Sequence, residues 1–368
     1  MNDIAGVLGE QGKYEEAEKM YQQTLQLKQK VLGEEHPNTL ASMNNLATVL
    51  REQGKYEAAE KMHQQTLQLK QKVLGEEHPD TLISMNNLAT VLVEQGKYEA
   101  AEKMHQQTLQ LRQRVLGEEH PVTLTSMNNL AVVLAKQDKY EAAEKRLQQT
   151  LQLRQKVLGE EHPNTLISMN NLAKVLGEQG KYKEAEEMHQ QTLQLSQKVL
   201  GKEHPDTLTK MNNLAGVLGE QGKYEEAGKM YQQTLQLQEK VLGEEHPDTL
   251  TSMNNLAEVL YEQGRYEEAQ KMYQQTLKLR EKVLGKEHPD ILLNKWCLVF
   301  TQSQIEKLRK EDSRETDTNN PSADRAPESS NRTAQSPPSA PTPNISQSQQ
   351  PPAPTSSGQG AKRKREGE

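Results

Sequence analysis

Histidine followed by proline recurs at His36, His78, His120, His162, His204, His246 and His288, always 42 residues apart. Imidazoles in such a column could form a ladder of metal ligands, but a metal site gathers its ligands around one ion. Residues separated by a whole period do not converge in that way, and no segment offers a His/His or His/Glu pair at helical ligand spacing. The spacing predicts a turn residue and no metal. Gly9-Glu10-Gln11-Gly12-Lys13 has the outline of a phosphate-binding loop, yet its spacing is wrong and Tyr14 stands where Ser or Thr is required. Glu34-Glu35 and its copies read as a solvated turn. His63, His105 and His189 share a column with Tyr21, Leu147, Tyr231 and Tyr273, an exchange that a packing position tolerates. No arrangement meets the requirements for a nucleophile, a base and an oxyanion donor. The chain is expected not to be an enzyme and to need no cofactor.

The remaining polar pattern is suited to binding. An Asn-Asn pair recurs with the same period, and its second member lies at Asn45, Asn87, Asn129, Asn171, Asn213 and Asn255. A side-chain amide carries donor and acceptor together, so it can pair with an extended backbone without reading its side chains. Two nearby columns vary while their neighbours do not. One reads Gly6, Thr48, Thr90, Val132, Lys174, Gly216, Glu258 beside an unbroken column of alanine at Ala47 and its equivalents. The other reads Gly9, Arg51, Val93, Ala135, Gly177, Gly219, Tyr261. Thr48, Arg51, Thr90, Val132, Lys174, Glu258 and Tyr261 are therefore candidates for partner contact, with drift at exposed positions as the plainer alternative. For the first Asn column, at Asn44, an amide ladder that only fixes stacking is as good a reading as binding.

Two helices per period must position these residues. Leu40, Met43, Leu46, Ala47 and Leu50 fall on one side of a helix from about Pro37 to Glu52, helix A. Gly54 breaks it. Tyr56, Ala59, Met62, Leu67, Val73 and Leu74 define helix B, which Gly75 is expected to stop with a left-handed cap. Proline after each histidine supplies the first turn of the next helix A. Opposite the apolar side of helix A, at 100° per residue, lie Ala41, Asn45, Thr48 and Glu52, with Asn44 and Arg51 on the flank. A fixed period of this length predicts units that bury their faces only against neighbours, an all-α, right-handed α-solenoid.

The period, the Leu46-Ala47 step, Gly54-Lys55-Tyr56, Ala59 and Leu67 resemble the tetratricopeptide repeat, and the longer unit ending LGEEHP is similar to the repeats of kinesin light chains. The likeness covers roughly residues 1 to 290. Similar tandem copies also form sensor arrays in NTPase signalling proteins. The resemblance implies a superhelix whose concave side, lined by helix A, binds a protein or peptide, and it places Asn45 and its equivalents at the backbone-gripping asparagine of such grooves. Two other readings follow from it: a regulatory repeat fragment of a larger signalling protein, or a cargo adaptor of the kinesin light chain kind. Met1 aligns with Met43, inside helix A, so the first repeat reads as truncated or as a frayed cap. No apolar heptad run precedes the first repeat. Acidic chaperone tails are unsuited to a groove with asparagine at the Asn44 column.

Composition agrees with an array. Hydrophobic residues make up 33%, with one Phe and one Trp, which suits a single layer of helix pairs better than a thick core. The net charge of -7 and the lack of a basic stripe in the repeats give no reason to expect nucleic acid. No segment reads as a membrane span or secretory leader, and the single cysteine, Cys297, fits a reducing compartment. A cytoplasmic protein is expected; its oligomeric state is left open. The domains read as seven repeats over 1–288, a capping helix over 289–311 and a disordered tail rich in Pro, Ser and Thr over 312–368. Lys362, Arg363, Lys364 and Arg365 form a basic cluster in that tail that would serve as a nuclear import signal.

Overall fold

The computed structural model describes residues 2–284 and 288–318. Fifteen helices and no strands occur among them. Helix A of the seven repeats is α1 (Asn2–Glu10), α3 (Pro37–Glu52), α5 (Pro79–Glu94), α7 (Pro121–Lys136), α9 (Pro163–Glu178), α11 (Pro205–Glu220) and α13 (Pro247–Glu262). Helix B is α2 (Tyr14–Leu32), α4 (Tyr56–Leu74), α6 (Tyr98–Leu116), α8 (Tyr140–Leu158), α10 (Tyr182–Leu200), α12 (Tyr224–Val241) and α14 (Tyr266–Leu284). A last helix, α15 (Pro289–Thr318), runs past the boundary at 311 that composition had drawn.

From α3 onward each helix A, and α15 after them, starts on its histidine. The imidazole Nδ1 of His36 accepts from the backbone N–H of Asn38 at 3.1 Å, and six further histidines do the same two residues ahead. A cap of this kind stabilises a helix by about 1 kcal/mol, and the proline that follows has no N–H to leave unpaired. The column is thus a set of N-caps, and among the described residues no group of three or more His, Cys, Asp or Glu could hold a metal.

The two glycine turns differ from expectation in one respect. Gly54 has φ +73, and Lys55 N donates to Leu50 O at 2.9 Å, so the left-handed cap closes helix A. Gly75 has φ 91 with ψ 166, an extended mirror-image conformation open essentially to glycine alone. Thr81 Oγ1 then donates to the Gly75 carbonyl at 2.8 Å and ties the loop to the next helix.

Ala47 and its six equivalents are fully buried, as are Leu40, Leu124 and Leu208. Burying one such leucine stabilises by roughly 1.5–3 kcal/mol, and no larger side chain fits the alanine column without moving a helix. A basic residue on helix B locks most units to the next, and in repeat six Gln238 takes its place by accepting from Ser252 Oγ at 2.5 Å. Arg154 Nη1 donates to Asn164 O at 2.5 Å and to Ser168 Oγ at 2.8 Å, while Lys28 Nζ reaches Asn38 O and Ser42 Oγ. At one junction the order is reversed: buried Ser196 stands on helix B and buried Lys210 on the facing helix A, so the cation is kept and its donor helix exchanged.

Consecutive A helices (α3 and α5, α7 and α9, α11 and α13) approach one another more closely than consecutive B helices do. Helix A therefore forms the inner layer of the curve. Curvature also brings distant repeats together. A side chain on Gly12 would meet Pro247 Cδ at 3.1 Å, and one on Gly54 would meet His288 Cδ2 at 2.9 Å and Pro289 Cδ at 3.0 Å. The first two A–B turns thus lie against the starts of α13 and α15.

Candidate functional site

The polar positions of helix A that face away from the Leu40 side stay partly open. Ala41 is exposed, and Asn45, Thr48, Arg51 and Glu52 are half-buried, with the same pattern in later repeats. The expected stripe is in place, but its residues are engaged with one another.

The two asparagine columns form one ladder. Asn87 Nδ2 donates to Asn44 Oδ1 at 2.9 Å, Asn129 to Asn86 at 2.8 Å, Asn171 to Asn128 at 3.3 Å and Asn213 to Asn170 at 2.7 Å. The second asparagine of each repeat thus reaches back to the first asparagine of the repeat before. Asn212 departs from the ladder by donating to Ser252 Oγ at 2.5 Å. Asn255 is hydrogen-bonded to the Tyr231 hydroxyl. The Asn45 column is therefore part of the stacking as well as of the open stripe. In the four ladder bonds it serves as donor through Nδ2, and its carbonyl oxygen takes no part.

The Thr48 column has a second determinant that sequence reading missed. A side chain on Gly216 would sit 3.3 Å from the Tyr231 hydroxyl, and one on Gly6 would sit 3.5 Å from that of Tyr21. In repeats one and six glycine stands in this column where helix B of the same repeat carries tyrosine, while repeat seven keeps Glu258 with a tyrosine. The residue at the same spacing from Thr48 is His63, while Lys174 acts on His189 and Glu258 on Tyr273. Part of the variation is therefore compensation within a repeat. The joint change of the two columns was visible in the sequence, but nothing there said that they touch.

Lys174 and Glu258 nevertheless give the inner surface its charge. Lys174 is exposed to solvent and yet crowded by protein, as a group in a concavity must be. Desolvation lowers its pKa, and Lys136 and Lys210 add to the effect. Desolvation pushes the Glu258 carboxyl up to about 8, helped by Glu220 and Glu262. Glu94 is pushed up to about 7 by desolvation, against the pull of Arg51. Arg51 pairs with Glu52 and lies 3.7 Å from Glu94. Tyr261 packs edge-on against Tyr266 and, at 5.6 Å, against Phe300, which stacks on Trp296. Thr48 and Thr90 donate to carbonyls of their own helix, and Val132 is half-buried.

The outer features are structural. His63, His105 and His189 are buried, and desolvation holds their imidazoles down at about 4, 4 and 3. The second glutamate of each Glu-Glu turn takes an ion pair from the next repeat, as in Lys156 to Glu119 and Lys198 to Glu161. Lys362, Arg363, Lys364 and Arg365 lie outside the described residues.

A solenoid of helix pairs closed by a Gly-Lys-Tyr turn, with fully buried alanine on helix A and an Asn ladder between units, matches the sequence profile of the tetratricopeptide repeat in overlapping stretches from residues 1–72 to 206–282. The chain belongs to the tetratricopeptide repeat family. Among solved structures it is similar to the nearly identical tetratricopeptide-like repeats attributed to a kinesin light chain of Podosopora anserina, at 30% identity, TM-score 0.46, covering 56% of this chain and 98% of that one. A single-substitution variant of the same Podosopora anserina protein matches at 30% identity, TM-score 0.47, over 56% and 97%. BtubC (BKLC) from P. vanneervenii matches at 21% identity, TM-score 0.51, over 62% of this chain and 92% of that one. No curated protein matches the chain. Repeats of this family generally bind protein or peptide partners.

Proposed function

We propose that this tetratricopeptide repeat protein is a non-enzymatic scaffold that holds an extended peptide segment along the inner surface lined by helix A. The observation that carries the reading is the amide ladder. It presents the second asparagine of successive repeats in register on the partly open stripe, with the carbonyl oxygen outside the ladder bonds. An extended backbone needs such acceptors for its N–H groups at regular intervals. Val132, Lys174 and Glu258 lie on the same stripe and would set which side chains are accepted, because discrimination is a difference of affinities.

Selection of a displayed random-peptide library against the full chain tests this. The parent should enrich a family of peptides. Asn129→Ala, Asn171→Ala and Asn213→Ala together should weaken their binding by about 0.5–1.5 kcal/mol per lost bond, while the helical signal is kept. Exchanging Lys174 and Glu258 should change which peptides are enriched. Equal binding of the enriched peptides by the triple variant would remove the inner stripe as the site.

A further inference from the structure

The contact between distant repeats has two halves, and the chain carries both halves in further copies. One half is the A–B turn of repeats one and two, at Gly12 and Gly54. The other is the proline corner that opens α13 and α15, at Pro247 and at His288-Pro289. The separation along the chain is the same in both cases, so this is one contact made twice. The first copy buries its turn, where Gly12 is buried and Tyr14 is 8% exposed, whereas in the second Gly54 is half-buried and Pro289 stays exposed. The side chain of His246 is 17% exposed, whereas that of His204, at a corner not met by any turn, is 41% exposed.

The same turn recurs at Gly96, Gly180, Gly222 and Gly264 with the same positive φ, and there a side chain would find nothing within 4 Å among the described residues. The same corner recurs at His36-Pro37, His78-Pro79 and His120-Pro121. Gly180, Gly222 and Gly264 are three consecutive turns without such a neighbour, and the corners at 36, 78 and 120 are the first three of five that no turn glycine is seen to meet. Their sequences are nearly those of the halves that already pair within the molecule.

We infer that the occupant of the open turns is a second copy of this chain, whose His36, His78 and His120 corners seat on the Gly180, Gly222 and Gly264 turns of the first. Because the two edges differ, the contact is heterologous and leaves the second copy with its own turns open, so it propagates into an open stack.

Repeat four supplies the control. Its turn has Asp138 in place of glycine, with φ 58 and its carboxylate accepting from the Tyr140 hydroxyl at 2.7 Å. The fold therefore accepts aspartate at this left-handed position. At Gly54, however, the first side-chain carbon already falls 2.9 Å from an imidazole carbon, so a turn bearing aspartate cannot receive a corner in the same way.

Sedimentation velocity of the full chain over a concentration series is the test. The parent should show a weight-average mass that rises with concentration without levelling off. Gly180→Asp, Gly222→Asp and Gly264→Asp together should keep the chain monomeric with unchanged helical signal, and Gly222→Asp alone should move association to higher concentration. Gly12 and Gly54 stay untouched, so the intramolecular contact is preserved. A parent that stays monomeric up to its solubility limit overturns the inference. So does a mass that levels off at twice the monomer, or equal association of parent and triple variant. If the triple variant loses helical signal, Gly222→Asp decides alone: association equal to the parent's overturns the inference.

Discussion

Repeats five and seven put opposite charges in the same place. Lys174 on α9 lies over His189, and Glu258 on α13 lies over Tyr273, yet Ala173 and Ala257 beside them are equally buried and both helices span the same positions of the period. The lysine has basic neighbours, Lys136 and Lys210, and the glutamate has acidic ones, Glu220 and Glu262. Around Glu258 the charges that act are all acidic, whereas at Lys174 Glu178 pulls the other way against the two lysines. The scaffold is thus indifferent to what stands one residue away from its most restricted column, because one position packs between helices and the other looks into the concavity.

The sharpest way to break this comparison is to enlarge the restricted column. Ala173→Phe and Ala257→Phe should each destabilise by about 3 kcal/mol or more through overpacking, seen as a lower denaturant midpoint. A midpoint unchanged in either variant would show that the column is not tightly packed.

A smaller effect separates the two repeats by pH. The depressed His189 imidazole, at about 3, leaves the folded state binding fewer protons than the unfolded one below about pH 6.5. Its contribution to stability is therefore intact above that pH and lost as pH falls. Glu258, raised to about 8, has the opposite sign: the folded state holds the extra proton, and stability is lost as pH rises from about 4.5 through 8. His189→Tyr with Lys174→Gly, copying repeat six, should flatten the acid arm, and Glu258→Gln should flatten the alkaline arm, each by on the order of 1–3 kcal/mol. Melting temperatures at pH 5, 7 and 9 would show it, and arms that respond to the wrong substitution would refute the assignment.

The smallest change should come from swapping the charges themselves. Lys174→Glu and Glu258→Lys, singly, should alter stability by less than about 1 kcal/mol at neutral pH, since Lys174 is exposed and Glu258 only half-buried. Each swap places opposite charges together where like charges stood, so a small gain is expected. A loss above about 2 kcal/mol would mean that the variable column is structural after all.

Helix limits and the partly open stripe of helix A were legible in the sequence, because each depends on hydrogen bonds and side-chain spacing within one period, whereas the inner placement of helix A was implied only by the resemblance. Pro37 to Glu52 is a helix for reasons contained in those residues, with a proline start and an apolar side repeating every three or four positions. Four features were not legible: the histidine as N-cap, the two asparagines as one ladder, the Thr48 column beneath the His63 column, and the exchanged cation of Ser196 and Lys210. Each needs a distance that only the folded chain supplies, and side-chain type alone does not give it.

What the sequence by itself determined is the unit and its count. A near-exact repeat leaves every copy the same local minimum and the same neighbour to pack on. Only the tertiary structure decided how far the coil turns per unit, and therefore that Gly12 meets Pro247 and Gly54 meets Pro289. That rotation is the sum of small offsets at each helix interface, set by the bulk of side chains wedged between A helices and between B helices. No single period contains it, so it emerges only when enough units have stacked for the coil to meet itself.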